Sequence, residues 1–404
     1  MHISILSKYK ECMEISRTII HLDLDAFFCA VEEKRDTSLR GKTFAVGGNP
    51  NQRGVVASCS YAARQFGVHS AMPMFQAVRV CPNLIVVSPH HAAYKVDSRK
   101  VMKILHALTD QVEQISIDEA FIDISEIKAA PKNVGGNLQR QIQEKLNLPC
   151  SLGIASNKLV AKIATDVGKI SARGARTPNA ITLVPPGQEA EFLAPLPVKM
   201  LWGVGPKTAE RLLQLEIHTI GDVAKYSAIE LSKFLGKLGY DLSKRAKGVD
   251  NRSIVTEHTA KSISNERTFK QDKERKGELL QELHHLSKQV AHHLQRKDLR
   301  GRTIQIKVRW ANFTTITRQS TLPKGVNDYF SISRQAEDLF EEAWESGQSV
   351  RLLGVGVSNL DQKLRQLNLW DPQMKKDQKL QETLDRLRQK FGEDIIFEGA
   401  PKRS

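Results

Sequence analysis

The fold of this chain is decided by residues 19–28, which read IIHLDLDAFF. The apolar residues of this stretch run on without a turn signal and predict a buried strand. Asp23 and Asp25 interrupt them at alternate positions, and burying a carboxylate without a partner costs several kcal/mol. The nearest basic residues along the chain are Arg17 and Lys34, and neither is close enough in the sequence to be that partner. The stretch therefore predicts a bound metal ion.

A second acidic pair, Asp118-Glu119, lies between two short segments with strand composition, 113–117 and 121–124. Adjacent side chains on a regular strand point to opposite faces, so we place this pair at the tip of a hairpin, where both can face one point. With Asp23 they give three hard oxygen ligands, which suit Mg²⁺ rather than Zn²⁺. Two ions about 3.5–4 Å apart would stabilise an in-line phosphoryl displacement. The alternative is that these acids end their strands in water, and Asp23 in an apolar strand argues against it.

The sequence resembles the Y-family DNA polymerases through four motifs that stand in the family's order. They are DLDAFF at 23–28, GVVASCSYAAR at 54–64, SIDE at 116–119 and GIASNK at 153–158. The similarity runs from about Ser16 to the end of the chain. It implies an α+β fold of several domains: a palm with a mixed β-sheet backed by helices, small fingers, a helix-hairpin-helix thumb and a β-α-β-β-α-β little finger.

The resemblance also revises the metal site. In the family the second aspartate of the first motif is not a principal ligand, and a backbone carbonyl between the two aspartates serves instead. The implied ligands of two Mg²⁺ ions are therefore Asp23, the Leu24 carbonyl, Asp118 and Glu119, and Asp25 is structural.

Residues for the incoming dNTP follow from the same resemblance. Phe28 matches the steric-gate position, where a bulky ring fills the space that a ribose 2′-hydroxyl would need, whereas Phe27 is expected to be a core aromatic. The residues expected on the triphosphate are Ser58, Tyr61 and Arg64.

Lys169 matches the family's triphosphate-binding lysine, but the sequence after it departs from the family pattern. Members usually continue with Pro and a tight turn, whereas residues 170–178 are longer and more basic. Arg173 or Arg176 could therefore share the work of Lys169.

The composition indicates a globular protein with a polyanionic partner. The chain has 404 residues and a formal net charge of +15, which favours nucleic acid as the partner. A membrane surface is the rival, but no apolar run approaches the roughly 18 residues of a transmembrane helix. Five scattered cysteines without a CxxC pair indicate neither a zinc knuckle nor a disulfide framework, and predict a reducing cytoplasm. The charged leader 1–14 is not a signal peptide, and Met13 is an alternative start.

The domain limits follow from composition and from the resemblance together. We expect an N-terminal extension 1–16, a palm 17–186 with fingers inserted at about 28–90, a thumb 187–256, a little finger 257–362 and a tail 363–404.

Two surfaces are expected to bind DNA through its phosphates, without reading sequence. In the thumb, the turn LWGVGPKT resembles a helix-hairpin-helix, and hairpin-like turns at 220–222 and 236–239 support it. The little finger carries a basic stretch that could instead be a solvated charged face. The residues predicted to bind DNA are Gly203, Gly205, Lys207, Arg300, Arg302, Lys307 and Arg309.

The tail contains RQLNLWDP at 365–372, which resembles the bacterial pentapeptide that binds the β sliding clamp. The residues expected to dock on the clamp are Gln366, Leu367, Leu369 and Trp370. A charged helix is expected at 375–391, and its role stays open.

These features predict a monomeric, template-directed DNA polymerase of the low-fidelity translesion type, with primer–template DNA and dNTP as substrates and no proofreading exonuclease. One alternative is a nucleotide cyclase, which shares a palm-like fold and a carboxylate pair but needs neither a helix-hairpin-helix nor this charge. Another is a non-catalytic DNA-binding or clamp-binding scaffold descended from a polymerase, which would be expected to lose the metal ligands. All three carboxylates are present.

Overall fold

A computed structural model describes residues 17–172, 177–345, 347–362 and Thr383. The chain forms two compact units, and the division falls between Thr259 and Ala260. In these residues, no helix is both long and apolar enough to span a membrane.

Within residues 17–172 and 177–259, the first unit contains eight strands and eleven α-helices. The strands are β1 Ile19–Leu24, β2 Phe44–Gly47, β3 Val56–Cys59, β4 Ile85–Val87, β5 Val112–Gln114, β6 Glu119–Asp123, β7 Cys150–Ala155 and β8 Ile181–Leu183. The helices are α1 Phe27–Arg35, α2 Tyr61–Arg64, α3 Met74–Val80, α4 His91–His106, α5 Pro131–Leu146, α6 Lys158–Ser171, α7 Glu189–Leu193, α8 Pro206–Gln214, α9 Ile220–Lys225, α10 Ala228–Leu235 and α11 Lys237–Ala246.

The strand β1 lies at the centre of a five-stranded sheet with the order β5-β6-β1-β7-β8. It is antiparallel to both neighbours. Ile20 and Leu22 face one hydrophobic core with α4 and α5, whereas Ile19 belongs to a second core with α6. Because both faces are covered, the strand is apolar almost throughout. The prediction of a buried strand is confirmed.

The hairpin predicted around the second acidic pair is also present, with β5 and β6 antiparallel. Its limits differ from the prediction. Glu119 is the first residue of β6 and pairs in register with Asp23 of β1, so only Asp118 lies in the connecting turn. Pairing with a central strand extends β6 to Glu119.

Helix α6 packs very closely on β7 at Gly153. A Cβ at Gly153 would lie 1.9 Å from the Ala161 carbonyl oxygen and 2.5 Å from the Thr165 amide nitrogen. Only a residue without a side chain allows this approach. The glycine therefore sets the distance between the central sheet and the helix.

We expect Gly153→Ala to lower the free energy of unfolding by about 1–3 kcal/mol, because the methyl group must push the helix from the sheet. Gly136→Ala is the matched control, since its Cβ would meet no atom within 4 Å in α5. That change should raise stability by about 0.5–1 kcal/mol, the ordinary advantage of Ala over Gly in a helix. Urea unfolding followed by circular dichroism measures both. Equal stability of the two variants would contradict the close packing.

A smaller three-stranded sheet follows β1 in the chain, with the order β3-β2-β4. Its strands β2 and β3 form an antiparallel hairpin. The parallel strand β4 was not predicted. Ser60 begins α2, since its hydroxyl accepts the amide of Ala63 at 3.2 Å.

The end of the first unit is helical, from α7 to α11. The hairpin-like turn predicted at 220–222 is wrong. These residues form the first turn of α9, because Thr219 and Asp222 make a reciprocal capping box there. The turn predicted at 236–239 is present in part, since Gly236, with φ 61°, joins α10 to α11.

Among the described residues of the first unit, four cysteines are buried and form no disulfide: Cys29, Cys59, Cys81 and Cys150. Burial raises the pKa of the Cys29 thiol to about 12, and it also raises the pKa of Cys59 and of Cys150. These thiols behave as small apolar core groups.

The second unit has the predicted order β-α-β-β-α-β. Its elements are β9 Ser262–Lys273, α12 Lys276–Arg296, β10 Leu299–Trp310, β11 Thr315–Val326, α13 Tyr329–Ala343 and β12 Val350–Gln362. The antiparallel sheet has the order β11-β10-β12-β9. Its core joins Ile304, Ile306 and Val308 of β10 to apolar residues of both helices. The expected multidomain α+β fold class is confirmed.

Candidate active site

The site begins where β1 turns sharply into α1. Ala26, the residue before the helix, has φ 43° and ψ 48°, a left-handed conformation that is uncommon for a residue with a Cβ. This turn allows Asp23 at the end of the strand and Phe28 in the first turn of the helix to line one cavity of about 350 Å³.

Eight of the residues predicted for the site line this cavity. They are Asp23, Leu24, Phe28, Ser58, Tyr61, Arg64, Asp118 and Lys169. They come from β1, α1, β3, α2, the β5–β6 turn and α6, so the fold brings together side chains separated by up to about 150 residues. Glu119 is not in the cavity wall.

The acidic edge of the cavity is formed by β1 and the β5–β6 hairpin. The Leu24 amide donates to the Asp118 carbonyl at 3.0 Å, which joins the turn to β1 through the backbone. The Ser116 hydroxyl donates to the Asp118 carboxylate at 2.5 Å. Asp23 faces Glu119 across the strand pair. The three predicted carboxylates therefore lie at one edge of the sheet.

The prediction that no basic residue lies near Asp23 is wrong. The Lys169 ammonium, from α6, lies 2.5 Å from Asp23 and 3.4 Å from Asp25. Lys162 of the same helix lies 2.9 Å from Glu119. Two of the three carboxylates thus pair with lysines, and within the described ranges no three His, Cys, Asp or Glu side chains are grouped so as to hold a metal ion.

Electrostatics nevertheless favour a cation at this edge. Burial raises the pKa of Asp23, and the charges of Glu119 and Asp118 raise it further, while Lys169 acts in the opposite direction. A partly buried carboxylate beside two others is stabilised by a divalent cation, and all the predicted donors are oxygens. The donor set therefore fits Mg²⁺.

Asp25 has a different environment from Asp23. It is fully buried. Its carboxylate accepts the Ser151 hydroxyl at 2.9 Å and the Asn179 amide at 3.0 Å, and it lies 3.5 Å from the Tyr61 hydroxyl. These bonds fix the start of α1 and suit the structural role predicted for Asp25.

The Phe28 ring is held by a second aromatic ring that the sequence did not indicate. It stacks on Tyr94 of α4, with 4.2 Å between centroids and 13° between planes. The Tyr94 hydroxyl in turn donates to Glu32 at 2.5 Å. Phe27 is 2% exposed and lies in the core, as expected. Phe28 therefore forms a wall of fixed position.

Ser58, Tyr61 and Arg64 also line the cavity. Ser58 is buried at the end of β3. The Arg64 guanidinium stacks over the Tyr61 ring at 4.6 Å and its Nε donates to the Cys59 carbonyl at 3.4 Å. One cation and two hydroxyls are thus presented to the cavity.

The sequence reasoning missed Asp166, which also lines the cavity. Burial raises the pKa of its carboxyl group. A signal was available, because Lys162, Asp166 and Lys169 are spaced i, i+4 and i+7 and share one helix face. All three lie at the acidic edge or in the cavity wall.

The predicted DNA contacts of the first unit lie around the start of α8. Gly203 has φ 107°, and a Cβ there would lie 2.7 Å from the Arg245 guanidinium. Gly205 precedes the helix and has open space around it, and Lys207 is exposed. Helix α8 begins at Pro206, because proline suits the first position of a helix.

The predicted DNA contacts of the second unit lie on β10. Arg302 is exposed, whereas Arg300 and Arg309 are partly buried. Arg309 donates to the Thr315 hydroxyl at 2.8 Å. Lys307 pairs with Glu266 at 3.0 Å, so part of its charge is already balanced.

Several predictions fall outside the described residues. They concern the extension 1–16, Arg173, Arg176, the clamp-binding residues Gln366, Leu367, Leu369 and Trp370, and the helix expected at 375–391.

Comparison with family models gives three matches in chain order. The model of the impB/mucB/samB family matches residues 22–166, the IMS family HHH motif matches 186–217, and the impB/mucB/samB C-terminal domain matches 260–369.

Curated relatives and solved structures agree with these matches. A DNA polymerase IV of Oceanobacillus iheyensis is 38% identical over 389 residues, 94% of this chain and 91% of that protein. One from Streptococcus thermophilus is 39% identical over 366 residues, 89% and 97% of the two chains. A solved Y-family DNA polymerase chimera is 25% identical with a TM-score of 0.76, over 85% of this chain and 99% of that one. DinB from Sulfolobus solfataricus is also 25% identical, with a TM-score of 0.57, over 84% and 98%.

Proposed function

The chain belongs to the Y-family DNA polymerases and is a DNA-directed DNA polymerase, and on that premise we propose that it extends primers past damaged template bases by two-metal-ion phosphoryl transfer. The observation that carries the proposal is the single cavity that joins an acidic strand edge to Ser58, Tyr61 and Arg64. Carboxylates for cations on one side and phosphate-binding groups on the other are what a nucleoside triphosphate requires.

Enzymes of this family depend on a metal ion, and we assign two Mg²⁺ to Asp23, the Leu24 carbonyl, Asp118 and Glu119. Bound Mg²⁺ lowers the pKa of a primer 3′-hydroxyl and neutralises the charge of the leaving pyrophosphate. Tyr61 and Arg64 orient the triphosphate, and Lys169 supplies a further cation at the acidic edge. Phe28 closes the sugar side of the cavity.

Primer–template DNA is proposed to lie on the phosphate-binding surfaces at the start of α8 and on β10. Such contacts are blind to sequence, which suits an enzyme that must accept altered bases. Low fidelity and the absence of proofreading are part of the proposal, as are a monomeric state, a cytoplasmic location and the predicted domain limits.

Primer extension tests the function directly. The wild-type protein with Mg²⁺ should add the templated dNTP to a primer opposite an undamaged base and opposite an abasic site, and EDTA should stop both. A cyclase would convert nucleotide without any template. A scaffold would bind the primer–template but leave its length unchanged.

We propose from the sequence of the tail that residues 366–370 bind the β sliding clamp. This proposal leads to a separate prediction. Gln366→Ala with Leu369→Ala should leave extension of a short oligonucleotide unchanged and remove stimulation by a β sliding clamp. Losing a buried interface anchor costs about 2 kcal/mol or more, roughly a thirtyfold weaker affinity. Titration of labelled clamp measures this affinity. The matched control is Gln373→Ala with Leu380→Ala, and an unchanged affinity in the first variant would refute the assignment.

A further inference from the structure

A second cavity, of about 520 Å³, lies beside the active-site cavity and is not used by the chemistry described above. The two cavities have Asp25, Ala26 and Tyr61 in both walls. The carboxylate of Asp25 is already engaged by the Ser151 hydroxyl and by Lys169. The shared wall therefore presents little free negative charge to an anion.

The remaining charge of the second cavity is mainly positive. Its wall contains Lys34, Arg40 and Lys42, and Glu33 is its other acidic residue. Lys34 is balanced by Asp97 at 2.6 Å. Burial raises the pKa of the Glu33 carboxyl group, although Arg40 opposes this. In the part of the chain that the structure describes, neither Arg40 nor Lys42 forms an ion pair within 4 Å.

The loop that carries these two cations is fixed to the triphosphate side of the active site. Gly41, with φ 71°, forms the turn between them. The carbonyl of Lys42 accepts the Ser60 hydroxyl at 3.0 Å, and Ser60 also caps α2. That helix carries Tyr61 and Arg64 into the active-site cavity. Hydrogen bonds of Ser60 therefore connect the loop 40–42 to the helix that carries the proposed triphosphate-binding residues.

We propose that the second cavity binds the pyrophosphate that each nucleotide addition releases, through Arg40 and Lys42. This inference rests on the proposed function. When the primer 3′-hydroxyl oxygen, having given its proton to water, bonds to the α-phosphorus, the bond from that phosphorus to the bridging oxygen breaks. Pyrophosphate leaves with the electron pair of that bond. Tyr61 lines both cavities, so pyrophosphate at Tyr61 can move along the shared wall to Arg40 and Lys42.

The first test is direct binding of sodium pyrophosphate, by isothermal titration calorimetry, to the full-length wild-type protein and to Arg40→Gln with Lys42→Gln. One unit charge at about 4 Å changes affinity about fivefold even in water, so the double variant should bind about tenfold more weakly or worse. The matched control is Lys95→Gln with Arg99→Gln, two exposed cations of α4 outside both cavity walls. An unchanged affinity in the first variant, or an equal loss in the control, overturns the proposal.

The second test is product inhibition of single-nucleotide addition. The pyrophosphate concentration for half inhibition should rise about tenfold in Arg40→Gln with Lys42→Gln, while KM for dNTP stays within about twofold of wild type, as expected when the two cations contact only the product. A parallel rise in KM would place both cations on the incoming triphosphate and refute a separate exit site. If the wild type extends no primer, the proposed function fails, whereas the calorimetric result still decides the pyrophosphate site.

Discussion

Asp118→Asn is expected to lower the rate of nucleotide addition by on the order of a thousandfold or more, while primer–template affinity stays within a few-fold. Metal ions contribute several kcal/mol to such a transition state, and each 1.36 kcal/mol is a factor of ten. On the proposed function, DNA affinity comes chiefly from phosphate contacts at the start of α8 and on β10, so it should survive. Single-turnover extension measures the rate, and fluorescence anisotropy with a labelled primer–template measures the affinity.

Asp118→Asn should remove the charge of the side chain and keep the hydrogen bonds of residue 118. The bond from the Leu24 amide to Asp118 uses the backbone carbonyl, which the substitution leaves in place. The Ser116 hydroxyl can donate to an amide oxygen as it does to the carboxylate. The matched control is Asp123→Asn at the other end of β6, where the carboxylate bonds to Ser125. A near wild-type rate for Asp118→Asn would show that the metal assignment is wrong.

Phe28→Ala is expected to raise ribonucleotide incorporation relative to deoxynucleotide incorporation by about a hundredfold or more. Hydrophobicity alone rejects an added hydroxyl only weakly, on the order of a hundredfold, so stronger discrimination requires a clash. Tyr94 holds the Phe28 ring in place by stacking, so the ring cannot move aside to admit a 2′-hydroxyl. The measurement is the ratio of kcat/KM for the two nucleotides on one template.

The control is Phe66→Ala, which removes a ring that is 54% exposed and outside the cavity wall. Its sugar ratio should equal that of the wild type. Should Phe28→Ala remain active with an unaltered ratio, Phe28 is a core residue and the gate lies elsewhere.

Local patterns predicted the elements of the fold well. The apolar run before Asp23 corresponds to β1, and the segments on either side of Asp118-Glu119 correspond to β5 and β6. Turns were predicted less accurately, since residues 220–222 form the first turn of α9 and not a hairpin-like turn. The capping box formed by Thr219 and Asp222 was the signal that the prediction left unused.

Contacts between residues that are far apart in the sequence could not be predicted. Lys169 stands 146 positions after Asp23, and no local pattern connects them, yet the packing of α6 on the central sheet brings them to 2.5 Å. Motif resemblance placed Lys169 in the site without giving its partner. The prediction placed Glu119 in the hairpin tip, whereas the structure places it in β6. Its pairing with Asp23 depends on the register of β1 and β6, which no local pattern gives.

The buried cysteines have a consequence for oxidative stress, a condition that damages DNA as well as proteins. Peroxides attack the thiolate, and they need access to the sulfur. Cys29 and Cys150 are 2% and 0% exposed, and burial keeps both thiols protonated. Both thiols are therefore poor targets for sulfenic acid formation.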